Sequence, residues 1–478
     1  MTGLLFLTHS MKLPLLPSLL LLAGTCAAQA VSHRDRVYTT DQISNTVTVI
    51  DPADNKLLGQ IILGKPQPDL LSALYKGQAL VHGLGASPDH KLLAVVSVGS
   101  NNVTFIETAT NAIKGSVYVG RAPHEATFRP DGKEAWITVR GEDYLSVIDV
   151  AKLREIRRVP VPNGPGQIAF SPDGKLAFVC SSFSPELAVV DVATYRVIKK
   201  IPVVSPFSPN IFPTNDGQQI WFTHKDVGKV SVLDVKTMKI SGVLDTGPIS
   251  NHVATVDVAG GKFAYVTVGG ENVVKVYSRA PGFQQLATIP VGANPHGIWP
   301  SGDGSRVYVG LENGDSVVAI TTANNRVLAK IKTGQAPMAL MYVPNAVPTG
   351  AAGTTGLGQQ LVEQPAVIRR LRPPTAGPAS GSMVLRSEGL VDLATFGLRN
   401  LPPNQDFDIF LSATAQQPYT RNYSLTTVHT DAKGNAMGQA LGPVQRIAGG
   451  DLNTTGKKFQ HVVVAAKGAG GEAALVSE

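Results

Sequence analysis

A four-residue turn recurs along this chain every 42 to 44 residues, and a repeat of that length restricts the fold more than any other feature of the sequence. It reads Ser87-Pro88-Asp89-His90, Arg129-Pro130-Asp131-Gly132, Ser171-Pro172-Asp173-Gly174, Thr214-Asn215-Asp216-Gly217, Val258-Ala259-Gly260-Gly261 and Ser301-Gly302-Asp303-Gly304. The chemistry is that of a tight turn: proline presets its own φ, aspartate caps through its carboxylate, and glycine accepts positive φ. An apolar run follows each turn, at 92–98, 135–139, 176–180, 220–223, 263–268 and 307–310. A second run follows the first, and a more polar third comes after it, as at 196–203 and 326–332.

Short runs rich in Val, Ile, Tyr and Phe between turn formers are strands. Four such antiparallel strands every forty-odd residues make one blade of a propeller. Six full units fill 82–334. The segment 36–64 has three strands and lacks an inner one, and 338–343 is an inner strand without followers. Together they complete a seventh blade, so both ends of the propeller region close the ring and cover edges that would otherwise template aggregation.

The strand pairs Arg36-Val-Tyr-Thr-Thr40 with Asn45-Thr-Val-Thr-Val-Ile-Asp51, the run Phe263-Ala-Tyr-Val-Thr-Val268 and the Ser-Pro-Asp-Gly turns resemble the YVTN-type β-propeller repeat family over residues 36–344. The resemblance implies the propeller fold and a secreted or periplasmic setting. It leaves function open, because relatives include surface-layer-type proteins, a DNA-binding periplasmic propeller and the haem-carrying propellers of nitrite reductases.

The expected organisation has four parts. Residues 1–30 carry a basic start at Met11-Lys12, an apolar run and a final Ala28-Gln29-Ala30, the layout of a secretory signal peptide. Residues 31–344 are the propeller, 345–380 a Gly-, Pro-, Thr- and Arg-rich linker, and 381–478 a small β-sandwich-like domain. The protein is therefore expected to be exported, periplasmic or extracellular, with no membrane span in the mature chain. Cleavage leaves one cysteine, Cys180, inside an apolar strand, where it reads as a small buried hydrophobe. The net charge of +7 comes from scattered Lys and Arg, which fits solvated strand ends better than a nucleic-acid patch.

The repeat also aligns the starts of the inner strands: His82, His124, Gly166, Asn210, His252, His296 and Met338, at spacings of 42, 42, 44, 42, 44 and 42. Four of these seven places hold histidine, in a chain with only ten. Three readings stand open. The imidazoles converge on a transition metal or haem, with Met338 as a soft ligand. They line a polar binding funnel without metal. Or they hydrogen-bond to neighbouring backbone. From Gly64 to His82 the link is 18 residues instead of the usual four, and this insertion, with Asp69 and Tyr75, is expected over the same mouth. Arg121 and Arg140 are candidate anion contacts there.

No Gly-x-Ser-x-Gly elbow, phosphate-binding Gly loop or His-Glu-x-x-His helix occurs. The leading expectation is thus a non-catalytic protein that binds a small-molecule or protein ligand at the channel mouth. A metal- or haem-binding redox or accessory protein ranks second, a lyase- or lactonase-like propeller enzyme third, and a nucleic-acid binder last.

Overall fold

The computed structural model describes residues 30–64, 79–359, 366–387, 391–414, 416–452, 456–469 and 472–477. The expected signal peptide and the insertion carrying Asp69 and Tyr75 lie outside the described residues.

Seven four-stranded antiparallel sheets form the blades of a propeller. Blade 1 joins the two ends of the region: Pro337–Val343 is its inner strand, paired with Arg36–Asp41, then Thr46–Asp51 and Lys56–Ile62. The register matches Val37 with Tyr342 and Tyr38 with Met341. Blades 2 to 7 follow in chain order, their inner strands being Val81–Ala86, Pro123–Phe128, Pro165–Phe170, Ile211–Pro213, Ser250–Val258 and Pro295–Pro300. Inner strands of neighbouring blades contact each other around the ring, and that of blade 7 meets that of blade 1.

Burial explains the strand pattern. Second strands lie between two blades and are buried along most of their length, as in Glu134–Val139, every residue of which is buried. Outer strands expose most of their length, as in Arg196–Pro202. Trp136, Trp221, Phe105 and Phe178 fill the spaces between blades. Apolar area removed from water at about 25 cal/mol per Å² is what holds such sheets face to face.

The C-terminal part is all-β as expected, but its eight strands form one sheet rather than two packed layers. Across the sheet they run Tyr423–His429, Asp406–Ser412, His461–Ala466, Leu475–Ser477, Val367–Arg372, Ser380–Ser387, Asp392–Arg399 and Ala436–Gly442. The two end strands contact each other, so the sheet curls into a nearly closed barrel around Phe396, Phe407, Ile409 and Val464. The stretch expected as linker is structured in two places. Asn111 donates to the carbonyls of Gly353 and Thr355, and Arg36 to those of Gly350 and Ala352, which fixes that stretch on blades 1 and 2. Val367–Arg372, inside the same stretch, is a strand of the barrel, paired with Ser380–Ser387 and burying Leu371. Among the described residues, no helix is long and apolar enough to cross a membrane.

Candidate functional site

A bulge shapes the entry of the inner strands. In blade 2, Val81 pairs with Ser97 and Leu84 with Val95, so His82 and Gly83 together face Val96. The same skip occurs in blades 1, 3, 4, 6 and 7. Two residues before the bulge the backbone turns left-handed, at Leu80 (φ 50°), Ala122 (49°), Gly164 (74°), Ile249 (58°), Asn294 (49°) and Ala336 (56°). Side-chain-bearing residues seldom adopt this region, and here the repeat enforces it.

The bulge corrects the alignment read from spacing. Equal pairing puts His82, His124, Gly166, Pro209, Asn251, His296 and Met338 at its first position. Asn210 and His252 stand at the second, with Gly83, Glu125, Gln167, Gly297 and Ala339. Ile211 pairs with Phe222 as Leu84 does with Val95, and the N–H of His252 donates to Thr267 as that of Glu125 does to Thr138. Lengths of the entering links differ by one residue, and a polar residue at each place hid the slip.

The two positions do different work. At the first, His124 donates Nδ1–H to the Gly166 carbonyl at 2.7 Å and His296 to the Met338 carbonyl at 3.0 Å, each crossing to the next blade. At the second, side chains accept the N–H that the bulge frees on a neighbouring blade. Glu125 takes that of Leu84, Gln167 that of Ile211 and Asn210 that of Val253. Threonines of the second strands add further stitches: Thr40 to the His82 carbonyl, Thr138 to Gly166, Thr223 to Asn251 and Thr267 to His296.

Four imidazoles nevertheless meet. Ring centroids lie 4.5 Å apart for His82 and His124, 6.2 Å for His82 and His296, and 4.6 Å for His252 and His296. All four side chains are buried. Burial holds His82 and His252 down to about 3 and His124 and His296 well below the usual imidazole value, with the charges of Arg140 and Lys225 adding to the effect. The cluster is neutral at pH 7. The bonds of His124 and His296 place their protons on Nδ1 and leave Nε2 as an acceptor, while Asn210 Nδ2 donates to His252 Nδ1 at 3.3 Å. His82 Nδ1 is buried with no partner, as is Glu125 Oε1. Burial pushes the Glu125 carboxyl up to about 8, so it too is largely uncharged at neutral pH.

The remaining candidates fall apart from this cluster or at its rim. Met338 lies at the first bulge position and is joined to His296 through its carbonyl. Arg121 is an exposed turn residue that donates to the Gly141 carbonyl at 2.5 Å and lies 3.7 Å from Glu142. Arg140 stands at the rim, its guanidinium 5.9 Å from the ring centre of Phe183 and 5.3 Å from that of Phe207. Lys225, Glu125 and Ser182 were not singled out from sequence. The signal for Lys225 was available: it follows its second strand immediately, as Arg140 does. Among the described residues, the one trio whose ligand atoms lie within 4.8 Å of each other is His33, Asp51 and Asp54, with Asp51 buried and the other two exposed.

A cavity of about 640 Å³ occupies the opposite end of the channel, where the Ser-Pro-Asp-Gly turns lie. Phe128, Phe170, Phe212, Trp299 and Tyr342 line it, on the inner strands of blades 3, 4, 5, 7 and 1. Gln167 joins the two ends, since it lines the cavity and its Oε1 accepts from Asn210 at 2.6 Å.

Residues 79–212 match the family model of the YNCE-like beta-propeller. No curated protein matches the chain. Solved structures share its fold. A chain of Kuenenia stuttgartiensis hydrazine synthase is 20% identical at a TM-score of 0.52, covering 56% of this chain and 92% of that one. A functionally unknown protein from Desulfotomaculum acetoxidans is 13% identical at 0.55, covering 64% and 98%. The Pseudomonas aeruginosa periplasmic gluconolactonase PpgL is 17% identical at 0.51, covering 65% and 99%. Identities this low carry the architecture and nothing of the activities.

Proposed function

We propose, taking as premise that this is a YVTN/YNCE-type β-propeller, that it works as an exported, non-catalytic binding protein whose ligand sits at the channel mouth beside the histidine cluster. One observation carries the reading: four buried, neutral imidazoles are gathered at a single mouth, with His82 Nδ1 left without a partner. A buried polar atom without a partner costs roughly 1–3 kcal/mol, and a ligand that satisfies it recovers that energy on binding. The test is mass spectrometry under non-denaturing conditions of the full chain purified from its export compartment, beside His82→Phe. A small molecule retained by the native protein and lost in the variant is expected; identical spectra would sink the reading.

A metal at the same cluster is the second reading, and one feature favours it. His124 and His296 each donate Nδ1–H to a backbone carbonyl, the arrangement that orients metal-bound imidazoles. The neutral state of the rings suits ligation as well. The positive charges of Arg140 and Lys225, which bear on the same rings, oppose a cation. Metal content and the visible spectrum of the purified protein, beside the His124→Ala/His296→Ala variant, decide between them. Stoichiometric metal or a haem band lost in that variant would replace the first reading by the second.

A further inference from the structure

The first residue past the second strand of each blade stands at the rim of the histidine mouth. In blades 3, 4 and 5 these residues are Arg140 after Glu134–Val139, Ser182 after Leu176–Ser181 and Lys225 after Gln219–His224. All three side chains are donors, and they are consecutive around the ring. Ser182 is 3% exposed and its Oγ has no partner. Among the described residues, neither Arg140 nor Lys225 makes a hydrogen bond or ion pair through its side chain. Arg140 reaches from blade 3 over Phe183 of blade 4 to Phe207 of blade 5, so its charge is carried toward Lys225 across the loop that holds Ser182.

Two recessed cations without counter-ions and an unbonded hydroxyl between them are an incomplete constellation. Desolvation disfavours both charges, and they oppose each other. The carboxylates nearby do not complete it. Glu125 is kept neutral by burial. Glu312, the equivalent rim residue of blade 7, is held on its own side by Asn294, whose Nδ2 donates to it at 2.9 Å, and it acts on Lys225 only at longer range. A planar or tetrahedral oxyanion offers what is missing: several acceptor oxygens on one centre, fit for a guanidinium, an ammonium and a hydroxyl together.

We infer that Arg140, Ser182 and Lys225 form a cradle for one small oxyanion, a carboxylate or phosphate group of the ligand. The inference rests on the channel-mouth reading above and names the chemical class of what enters there.

Calorimetric titration of the full chain with succinate and with inorganic phosphate tests it, beside uncharged succinamide and the variants R140Q, K225Q and S182A. At least one anion should bind and succinamide should not. R140Q and K225Q should each weaken binding roughly tenfold and S182A roughly fivefold, as expected for charge-assisted and neutral hydrogen bonds, with urea midpoints no lower than the parent's. Affinity should fall as salt is raised. The better of the two anions tells carboxylate from phosphate. Equal binding by succinamide, equal binding by the variants, or binding of a single-stranded oligonucleotide with neither small anion would overturn the cradle. A neutral ligand lost in His82→Phe but unaffected by R140Q and K225Q would overturn the cradle and leave the channel-mouth reading standing. Binding at neither set of residues would overturn both.

Discussion

His124 donates Nδ1–H to the carbonyl oxygen of Gly166 at 2.7 Å, and Gly166 holds in blade 4 the place that His124 holds in blade 3. His296 repeats the bond from blade 7 to Met338 of blade 1, across the seam where the ring closes. The Gly166 carbonyl also accepts the Thr138 hydroxyl at 2.8 Å, so His124→Ala does not orphan it. Met338 has no second side-chain donor among the described residues. His296→Ala is therefore expected to lower stability by about 1–3 kcal/mol and His124→Ala by about 1. His82→Phe removes an unpartnered nitrogen and should leave stability unchanged or raise it by up to about 3 kcal/mol. Urea midpoints of the three variants check the order.

Stability should peak near pH 6.5. His82 and His252 are held down to about 3 and His224 to about 4, with His124 and His296 also lowered, all by burial. Below 6.5 the unfolded chain protonates these rings and the native state does not, so stability falls as pH drops toward those values. Glu125 at about 8 and Asp41 at about 7 act the other way. They stay protonated in the native state and ionise in the unfolded chain, so their contribution, complete below about 4, is lost as pH rises to 8. Between 4.5 and 6.5 the five histidines outnumber the two carboxyls, and above 6.5 only the carboxyls remain. Unfolding in urea across pH 4.5 to 8.5 should show the maximum, and Glu125→Gln should flatten its alkaline side.

The propeller was legible because its turns obey local chemistry. Pro130, Asp131 and Gly132 mark a turn wherever they stand, and seven strand starts at spacings of 42 to 44 residues need no tertiary information. Half of one blade at Arg36–Asp51 and its missing strand at Pro337–Val343 could be joined from their patterns alone. The slip at Asn210 and His252 could not be seen, since a bulge changes pairing without changing which residue types are present. Ser182 looked like any loop serine, and its lack of a partner exists only in three dimensions. Curling of the C-terminal sheet depends on contact between Tyr423–His429 and Ala436–Gly442, strands adjacent in the chain whose closure no alternation pattern encodes.

Arg386, on the barrel strand Ser380–Ser387, donates to Asp315 of blade 7 at 2.8 Å and to the Glu312 carbonyl at 3.1 Å, and its side chain is 4% exposed. Removing one partner of a buried pair strands the other, at about 3–5 kcal/mol. Asp315 keeps the Ala336 N–H at 3.0 Å, which moderates the loss when Arg386 goes. Arg386→Ala should therefore loosen the barrel from the propeller by about 3 kcal/mol and hasten proteolytic separation of the two. Arg386→Lys should recover little, because a single ammonium does not reach both the carboxylate and the carbonyl. Limited proteolysis followed by mass measurement distinguishes the variants.

Cys180 takes, in blade 4, the place of Thr40, Thr138, Thr223 and Thr267 on the second strands of their blades. Its Sγ lies 3.5 Å from the Gln167 carbonyl, where Thr138 lies 3.3 Å from that of Glu125. The thiol is buried, and burial pushes it up to about 12, so no thiolate is available to react in the native state. Labelling of Cys180 by a thiol reagent should follow the rate of unfolding and not the reagent's intrinsic rate. Cys180→Thr should place a stronger donor against the same carbonyl and the Pro209 side of blade 5. A stability change within about 1 kcal/mol, of either sign, is expected. Rapid labelling of Cys180 in the folded protein, or collapse of the threonine variant, would show that the side chain serves something other than this stitch.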